Sequence, residues 1–483
     1  MSGHERRGHD DEHDMSPADW LADSEVATVW PRRTSFLLPD SPIVTMEDYL
    51  IAGGGRGLHA AMDIGADATI ELIGSAGLRG RGGAGFPTAR KWASVRDGGS
   101  GTRFVVVNAA EGEPATFKDR MLIRRDPYRI IEGAAIAALA VGAGTVYVAT
   151  KRSYPREVQR LREAAIEFTA TGLLQELSIN IVEGPDDYLY GEEKALLEVI
   201  EGRDALPRLL PPYELGLFAT DSPVGWEAGS RPVAGRSDSN PTVVNNAETL
   251  ACVAHIMANG ADWFRSMGTA AAPGTLIASV VGDVARPGVH EVEVGTPFSE
   301  LLALCGGPLP GRSFKAALSG VSNAVLVAAA FGAPLTYEDF AAAGSGLGAA
   351  GFVVYDDSVN MTAVALAMSR FLAVESCGQC PPCKQGSLAI TDHLAAICNG
   401  HADDSVLGAL GALLTSVTNA NRCFLGAEEQ IVVSSILRAF PDDVAALLEH
   451  RTSSLREIQV AIIDDITEDG VVTVSTRAHE GPT

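Results

Sequence analysis

From residue 103 to residue 182 short apolar runs alternate with amphipathic ones. Stretches 103–107, 145–149 and 178–182 read as buried strands, while 89–95, 130–141 and 157–169 carry the spacing of helices. Alternation of this kind predicts a mostly parallel, layered α/β domain. Upstream, 46–51 and 70–75 read as helices. Downstream, 192–201 is a further helix, and the Pro/Gly/Ser-rich stretch 221–241 reads as an exposed, mobile loop. The pattern changes near residue 275. Runs 275–282 and 288–294 suggest a hairpin, 298–305 a helix, and turn-broken strands follow to 355, giving a small α+β module. From 358 to 450 almost everything is helical: 361–375, 384–398, 405–417, 428–438 and 443–449. Two last apolar runs, 458–463 and 470–474, suggest a terminal hairpin of no assigned purpose. The divisions drawn are 1–40 (a disordered polar tail), 41–265, 266–356, 357–455 and a C-terminal extension, 456–483.

Composition narrows the function. The uncharged runs 133–150 and 316–337 are broken by Gly142 and Gly144, and by Gly320, Ser322, Asn323, Gly332 and Pro334, so neither reads as a membrane span. With 37 Lys and Arg against 61 Asp and Glu, the formal net charge is -24. A nucleic-acid surface needs fields of Lys and Arg, so that class is disfavoured. Seven cysteines in a long chain with no secretory leader predict a reducing cytoplasm.

Three of those cysteines fall in Glu375-Ser376-Cys377-Gly378-Gln379-Cys380-Pro381-Pro382-Cys383. Three thiols on so short a loop suit a four-iron four-sulfur cluster whose fourth ligand lies elsewhere. A zinc knuckle or a redox C-x-x-C pair are the alternatives. Cys423, in Asn421-Arg422-Cys423-Phe424-Leu425-Gly426, sits at a turn before a helix and is the candidate fourth ligand. Cys252, Cys305 and Cys398 lie in apolar helical contexts and read as core.

A glycine-rich loop, Gly77-Leu78-Arg79-Gly80-Arg81-Gly82-Gly83-Ala84-Gly85-Phe86-Pro87-Thr88, precedes a helix. It follows a helix rather than a strand, so it is a poor Rossmann fingerprint. Its bare backbone can still approach a phosphate or a ring, and Lys91 adds a charge in the first turn of the next helix. Asn108-Ala109-Ala110-Glu111-Gly112-Glu113-Pro114 follows a strand, where parallel sheets bind ligands; Glu111 and Glu113 could grip hydroxyls, or simply form a solvated loop. Tyr188-Leu189-Tyr190-Gly191-Glu192-Glu193 leads into a helix, and its glutamates could serve only the helix dipole.

Taken together, these motifs and Asn245-Asn246-Ala247-Glu248-Thr249 closely resemble the NADH-binding flavoprotein subunit of respiratory complex I (an NADH-quinone oxidoreductase) and its relatives in NAD-linked hydrogenases and formate dehydrogenases. The resemblance runs from about residue 45 to 450. It implies a Rossmann-like α/β domain binding FMN and NADH, a β-grasp (SLBB) module, and a C-terminal helical bundle carrying the cluster through Cys377, Cys380, Cys383 and Cys423. It implies FMN contacts at Gly80, Gly82, Lys91, Asn108, Glu111, Gly191, Glu192, Glu193, Asn245, Asn246 and Thr249. NAD(H) would stack with help from Phe86 and Tyr188, with Glu113 and Glu193 near the dinucleotide. The activity implied is that of an NADH dehydrogenase (diaphorase) subunit: hydride exchange between NAD(H) and FMN, then single electrons through the 4Fe–4S cluster. Implied partners are a thioredoxin-like 2Fe–2S subunit and a larger iron–sulfur or catalytic subunit. The implied location is cytoplasmic, in a complex peripheral to the inner face of the membrane.

This chain departs from the pattern at several places. Ala110 stands where the family has an aspartate, Leu210 where it has a lysine and Tyr213 where it has a phenylalanine; Tyr190 and Lys194 also differ, and the segment after Ser222 is long. The rival expectation is therefore a subunit that keeps FMN and cluster but takes electrons from a carrier other than NADH.

Overall fold

The computed structural model describes residues 35–98, 101–173, 177–219, 239–403, 405–451, 454–467 and 471–475. The polar tail, nearly all of the 221–241 loop and the end of the C-terminal extension lie outside the described residues.

The first module opens with α1 (Met46–Ile51), α2 (Arg56–Ile64), α3 (Ala66–Ala76) and α4 (Thr88–Asp97). It continues through β1 (Phe104–Ala109), α5 (Lys118–Arg125), α6 (Pro127–Val141), β2 (Thr145–Lys151), α7 (Pro155–Ala170), β3 (Ser178–Gly184), α8 (Glu193–Ile200), β4 (Thr242–Asn246), α9 (Ala247–Asn259) and α10 (Ala261–Arg265). The four strands pair in parallel in the order β3-β2-β1-β4. The apolar runs of β1 and β4 are buried on both faces, whereas β3, at the sheet edge, stays partly exposed. Helix α6 shows how local rules set an element: Asp126 caps it, Pro127 fills its first turn and Gly142 ends it at φ 75°. Almost all of α6 is buried against α9, so Gly133 lies where a Cβ would strike the Leu250 carbonyl.

The second module holds β5 (Thr275–Gly282), β6 (Gly288–Glu293), α11 (Phe298–Leu304), β7 (Phe314–Ser319), β8 (Leu326–Val327), α12 (Tyr337–Ala342) and β9 (Gly351–Asp356). Its sheet order is β6-β5-β9-β7-β8, with β5 and β9 parallel and the other pairs antiparallel. The third is a bundle of α13 (Met361–Glu375), α14 (Pro381–Cys398), α15 (Ser405–Ser416), α16 (Leu425–Ala439) and α17 (Pro441–Leu448).

Four elements differ from the sequence reading. Helix α5 and strand β4 were not foreseen, because one is crowded with charge and the other is only five residues long. Helix α14 starts at Pro381 rather than 384, since a proline is pre-organised for a first turn; Cys383 is thus helical, not in the loop. The terminal hairpin exists, but its first strand is β10 (Ile463–Ile466), paired with β11 (Val472–Val474), and not 458–463. Residues 460–463 instead dock on the first module: Ala461 O accepts from Ala115 N at 2.7 Å, and Ile463 O accepts from the Arg120 guanidinium at 2.5 Å.

Among the described residues no helix is long and apolar enough to cross a membrane. Because Ile463 is 2% exposed within the same core as the helical bundle, Ile463→Ala is expected to cost about 2–4 kcal/mol of stability. Chemical denaturation checks this; an unchanged midpoint would show that the hairpin is not packed.

Candidate functional site

The carboxyl ends of β1 and β4 lie side by side, with Asn108 in register with Asn246. Beyond them opens a cleft of about 770 Å³, within the size range of cofactor sites. All fourteen cofactor-site residues named from the sequence line it: Gly80, Gly82, Phe86, Lys91, Asn108, Glu111, Glu113, Tyr188, Gly191, Glu192, Glu193, Asn245, Asn246 and Thr249.

The glycine loop is held from three sides. Thr249 Oγ1 accepts from Arg81 N at 2.9 Å, the Tyr337 hydroxyl donates to Gly80 O at 2.8 Å, and Arg79 Nε donates to Gly85 O at 2.8 Å. Glycine is required at position 85 twice over: φ is 60°, and a Cβ would lie 2.7 Å from the Tyr337 ring. A Cβ on Gly82 would come within 3.2 Å of Asn246, so the loop runs close over the strand end. Lys91 donates to Val244 O and to Glu193 Oε2, both at 3.1 Å. The Asn245 side chain accepts from Trp92 Nε1 at 2.8 Å, and Asn108 Nδ2 donates to Gly191 O at 2.8 Å.

Glu111 and Glu113 were expected to grip ligand hydroxyls; the structure commits both carboxylates to the protein itself. Glu111 accepts from Lys118 N and Asp119 N, capping α5, and from Arg120 Nε at 2.9 Å. Glu113 Oε1 accepts from Val321 N, Ser322 N and Ser322 Oγ, while its Oε2 accepts from Tyr188 Oη at 2.7 Å. That carboxylate therefore fastens the β7–β8 turn of the second module to the cleft. Glu192 caps α8 through Lys194 N and Ala195 N, so the helix-end role considered for the pair is real for Glu192.

The sequence reading missed Lys118 and Asp119, which line the cleft buried as an ion pair, and Glu428, which comes from α16. Phe424, 56% exposed, joins Phe86, 47% exposed, among the lining aromatics. Ala110 lines the cleft and is buried, whereas Leu210 and Tyr213 are not among its lining residues. The Ala110 departure thus falls on the cleft wall and the Leu210 departure outside it.

Next to the cleft, Cys377, Cys380, Cys383 and Cys423 together line a small cavity. Their sulfurs receive the polar neighbours that cluster sulfurs use: Arg422 N donates to Cys380 Sγ at 3.3 Å, Gln379 Nε2 to Cys377 Sγ at 3.6 Å, and Ser376 Oγ lies 3.4 Å from Cys383 Sγ. Among the described residues no three His, Cys, Asp or Glu side chains converge on a single ion, and the four thiols instead ring a volume. Four cysteine thiolates around one cavity are the donor set of a 4Fe–4S cluster, one per iron. Cys252 and Cys305 are fully buried in the core, as expected, and Cys398 is half-buried.

The cavity is anchored to the cleft. Glu375 Oε2 accepts from Tyr188 N at 2.9 Å, Gln379 donates to Pro207 O, and Lys194 donates to Arg422 O. Leu189, Cys423 and Leu425 line both spaces, so one wall separates them.

Comparison with known proteins agrees with this geometry. Residues 73–255 match the Nuo51 FMN-binding domain, 363–447 the NADH-ubiquinone oxidoreductase-F iron–sulfur binding region, and 277–317 the SLBB domain. An F-type subunit of NADH-quinone oxidoreductase from Rhizobium meliloti, the second of that type, is 36% identical, the match covering 86% of this chain and 96% of its own. The F-type subunit of the NADH-quinone oxidoreductase of Streptomyces coelicolor is 34% identical over 83% of this chain and 87% of its own. The alpha subunit of the NAD-reducing hydrogenase HoxS of Cupriavidus necator is 35% identical over 78% of this chain, which spans only 60% of that subunit's length. A crystal structure of an NAD+-reducing NiFe-hydrogenase in the H2-reduced state superposes with a TM-score of 0.72 at 32% identity, covering 83% of this chain and 66% of that one. The chain thus belongs to the family of F-type NADH-quinone oxidoreductase subunits, with that family's FMN-binding domain, SLBB domain and 4Fe–4S-binding region.

Proposed function

We propose that this chain exchanges electrons between NAD(H) and an iron–sulfur chain by way of FMN, as one subunit of a larger oxidoreductase. The observation that carries this reading is the wall of Leu189, Cys423 and Leu425 shared by the cleft and the four-cysteine cavity. Bound FMN takes the two electrons of a nicotinamide hydride together and yields them singly, which is how a 4Fe–4S cluster accepts them.

The protein's own groups supply position and charge. Gly80 and Gly82 leave backbone open to close approach, and Lys91 with the amino end of α4 places positive charge where a phosphate is stabilised. Asn108, Asn245 and Asn246 present amides at the strand ends, and Thr249 fixes the loop above them. Gly191, Glu192 and Glu193 form the facing wall, and Glu111 holds the α5 end in place. Phe86 offers an exposed ring for nicotinamide or adenine stacking, whereas the Tyr188 hydroxyl is tied to two carboxylates and leaves only its ring. Cys377, Cys380, Cys383 and Cys423 hold the cluster. The proposed partners are a thioredoxin-like 2Fe–2S subunit and a larger iron–sulfur or catalytic subunit, in line with relatives that are named as subunits of quinone oxidoreductases and hydrogenases. A cytoplasmic location, peripheral to the membrane when assembled, belongs to the same proposal, as do the domain limits 41–265, 266–356 and 357–455.

Anaerobic titration with NADH tests it. The purified protein is expected to contain FMN and about four irons per chain, and NADH to bleach the visible flavin absorbance. Flavin and iron without bleaching would favour a donor other than NADH.

Two substitutions separate the sites. Lys91→Met is expected to weaken FMN binding by about 1.5–3 kcal/mol, the worth of a charge-assisted bond, with iron content unchanged; fluorescence titration of deflavinated protein measures this. Cys423→Ser is expected to lose the cluster's EPR signal and keep stoichiometric FMN.

A further inference from the structure

The Tyr188 hydroxyl sits between two carboxyl groups. Its oxygen is 2.7 Å from Glu113 Oε2 and 3.2 Å from Glu428 Oε1. A phenol has one proton to donate, so it can serve only one of two ionised carboxylates; the other would face its lone pairs. Both contacts are hydrogen bonds only if one carboxyl carries a proton and donates it to the tyrosine. The surroundings decide which. Burial raises the Glu113 pKa, but Glu113 accepts from Val321 N, Ser322 N and Ser322 Oγ besides Tyr188, and these four donors oppose that rise and favour the ionised form. Glu428 has no other partner: its Oε2 is buried without any hydrogen bond, and among the described residues no Lys or Arg pairs with it. The groups that face it are Glu113, Tyr188 and, from the start of α8, Glu192. At 7% exposure, with only like charge nearby, the neutral acid is the stable form. Burial first, then Glu113, pushes its pKa up to about 8, and burial keeps Tyr188 protonated as well.

Glu428 lines the cofactor cleft. We propose that Glu428, Tyr188 and Glu113, which all line the cleft, form a proton chain that begins at the Glu428 carboxyl and ends at the ionised Glu113. This rests on the FMN reading above. Hydride transfer gives reduced flavin one proton more than oxidised flavin holds, and that proton must leave when the two electrons pass on singly to the cluster. In the chain it enters at the Glu428 carboxyl, the proton on Glu428 Oε1 moves to Tyr188 Oη, and the tyrosine proton moves to Glu113 Oε2. No atom of the protein is oxidised or reduced, and the net change is one proton gained by Glu113, returned to solvent before the next turnover.

Infrared spectroscopy of the FMN- and cluster-loaded protein, beside Glu428→Gln and Tyr188→Phe, tests the proposal. The resting protein at pH 7 should show a protonated-carboxyl C=O component that is lost in E428Q, while the component from Glu429, whose pKa burial also pushes up to about 8, stays. In Y188F that component should remain but shift, because its acceptor is gone. The Glu428 component should also fade as pH rises through about 8. In single-turnover oxidation of the reduced flavin, both variants should slow proton-coupled transfer on the order of 100-fold and lose the solvent deuterium effect. A resting spectrum with no component assignable to Glu428, or variants that transfer at the native rate with the native deuterium effect, would overturn the chain. Should E428Q fail to fold, Y188F alone decides by the same band shift and rate. Should the protein bind no flavin, the function proposed above fails, while the band still reports whether Glu428 is protonated.

Discussion

A lysine ammonium buried in protein is tolerable only if each of its protons finds an acceptor, and Lys118 is the charge on which the cleft depends. It is 2% exposed and donates to Asp119 Oδ1, Glu248 Oε2 and Asn246 Oδ1, three protons to three acceptors within 2.9 Å. Burial alone would lower its pKa, but Asp119, Glu248 and Glu111 more than reverse that. Its partners reach onward. Asp119 Oδ2 accepts from Asn246 Nδ2, Glu248 Oε1 accepts from Ile277 N of β5, and Asn246 caps α9. One charge therefore joins α5, the end of β4, α9 and the second module's sheet. Removing it would leave the buried Asp119 without a cation and Glu248 with only Arg81, 4.0 Å away, so the cleft floor cannot be altered piecemeal.

The same logic makes the β-grasp module part of the cleft. Tyr337 of α12 covers the glycine loop, and Glu113 holds the β7–β8 turn, where a Cβ on Gly320 would collide with its carboxylate. The bundle is fixed in turn by Glu375, Gln379 and Lys194, which tie it to the first module. These ties set the distance between cleft and cysteine cavity, which share the wall of Leu189, Cys423 and Leu425.

What the sequence disclosed follows from this division. Cysteines at fixed spacing, glycines with no room for Cβ and apolar strand runs are demanded by local chemistry, so the gathering of the four cysteines, the loop and the parallel sheet were legible. Nothing in the sequence singled out Lys118, Asp119 and Arg120 as buried, because only tertiary packing supplies the partners that let them be so. Glu428 and Glu429 look like ordinary acids near a helix start, yet both are buried on α16. The end of the chain was legible as a hairpin but not in register, since 460–463 is buried by docking on the Ala115–Arg120 stretch rather than by strand pairing.

The central claim is that the cleft empties into the cysteine cavity next to it. Rapid mixing of the FMN- and cluster-loaded protein with one equivalent of NADH, followed by absorbance at the flavin and by EPR at the cluster, addresses it directly. The account predicts that the reduced-cluster signal rises as the flavin reoxidises, within one turnover. A flavin that bleaches and stays reduced while the cluster remains oxidised would contradict it.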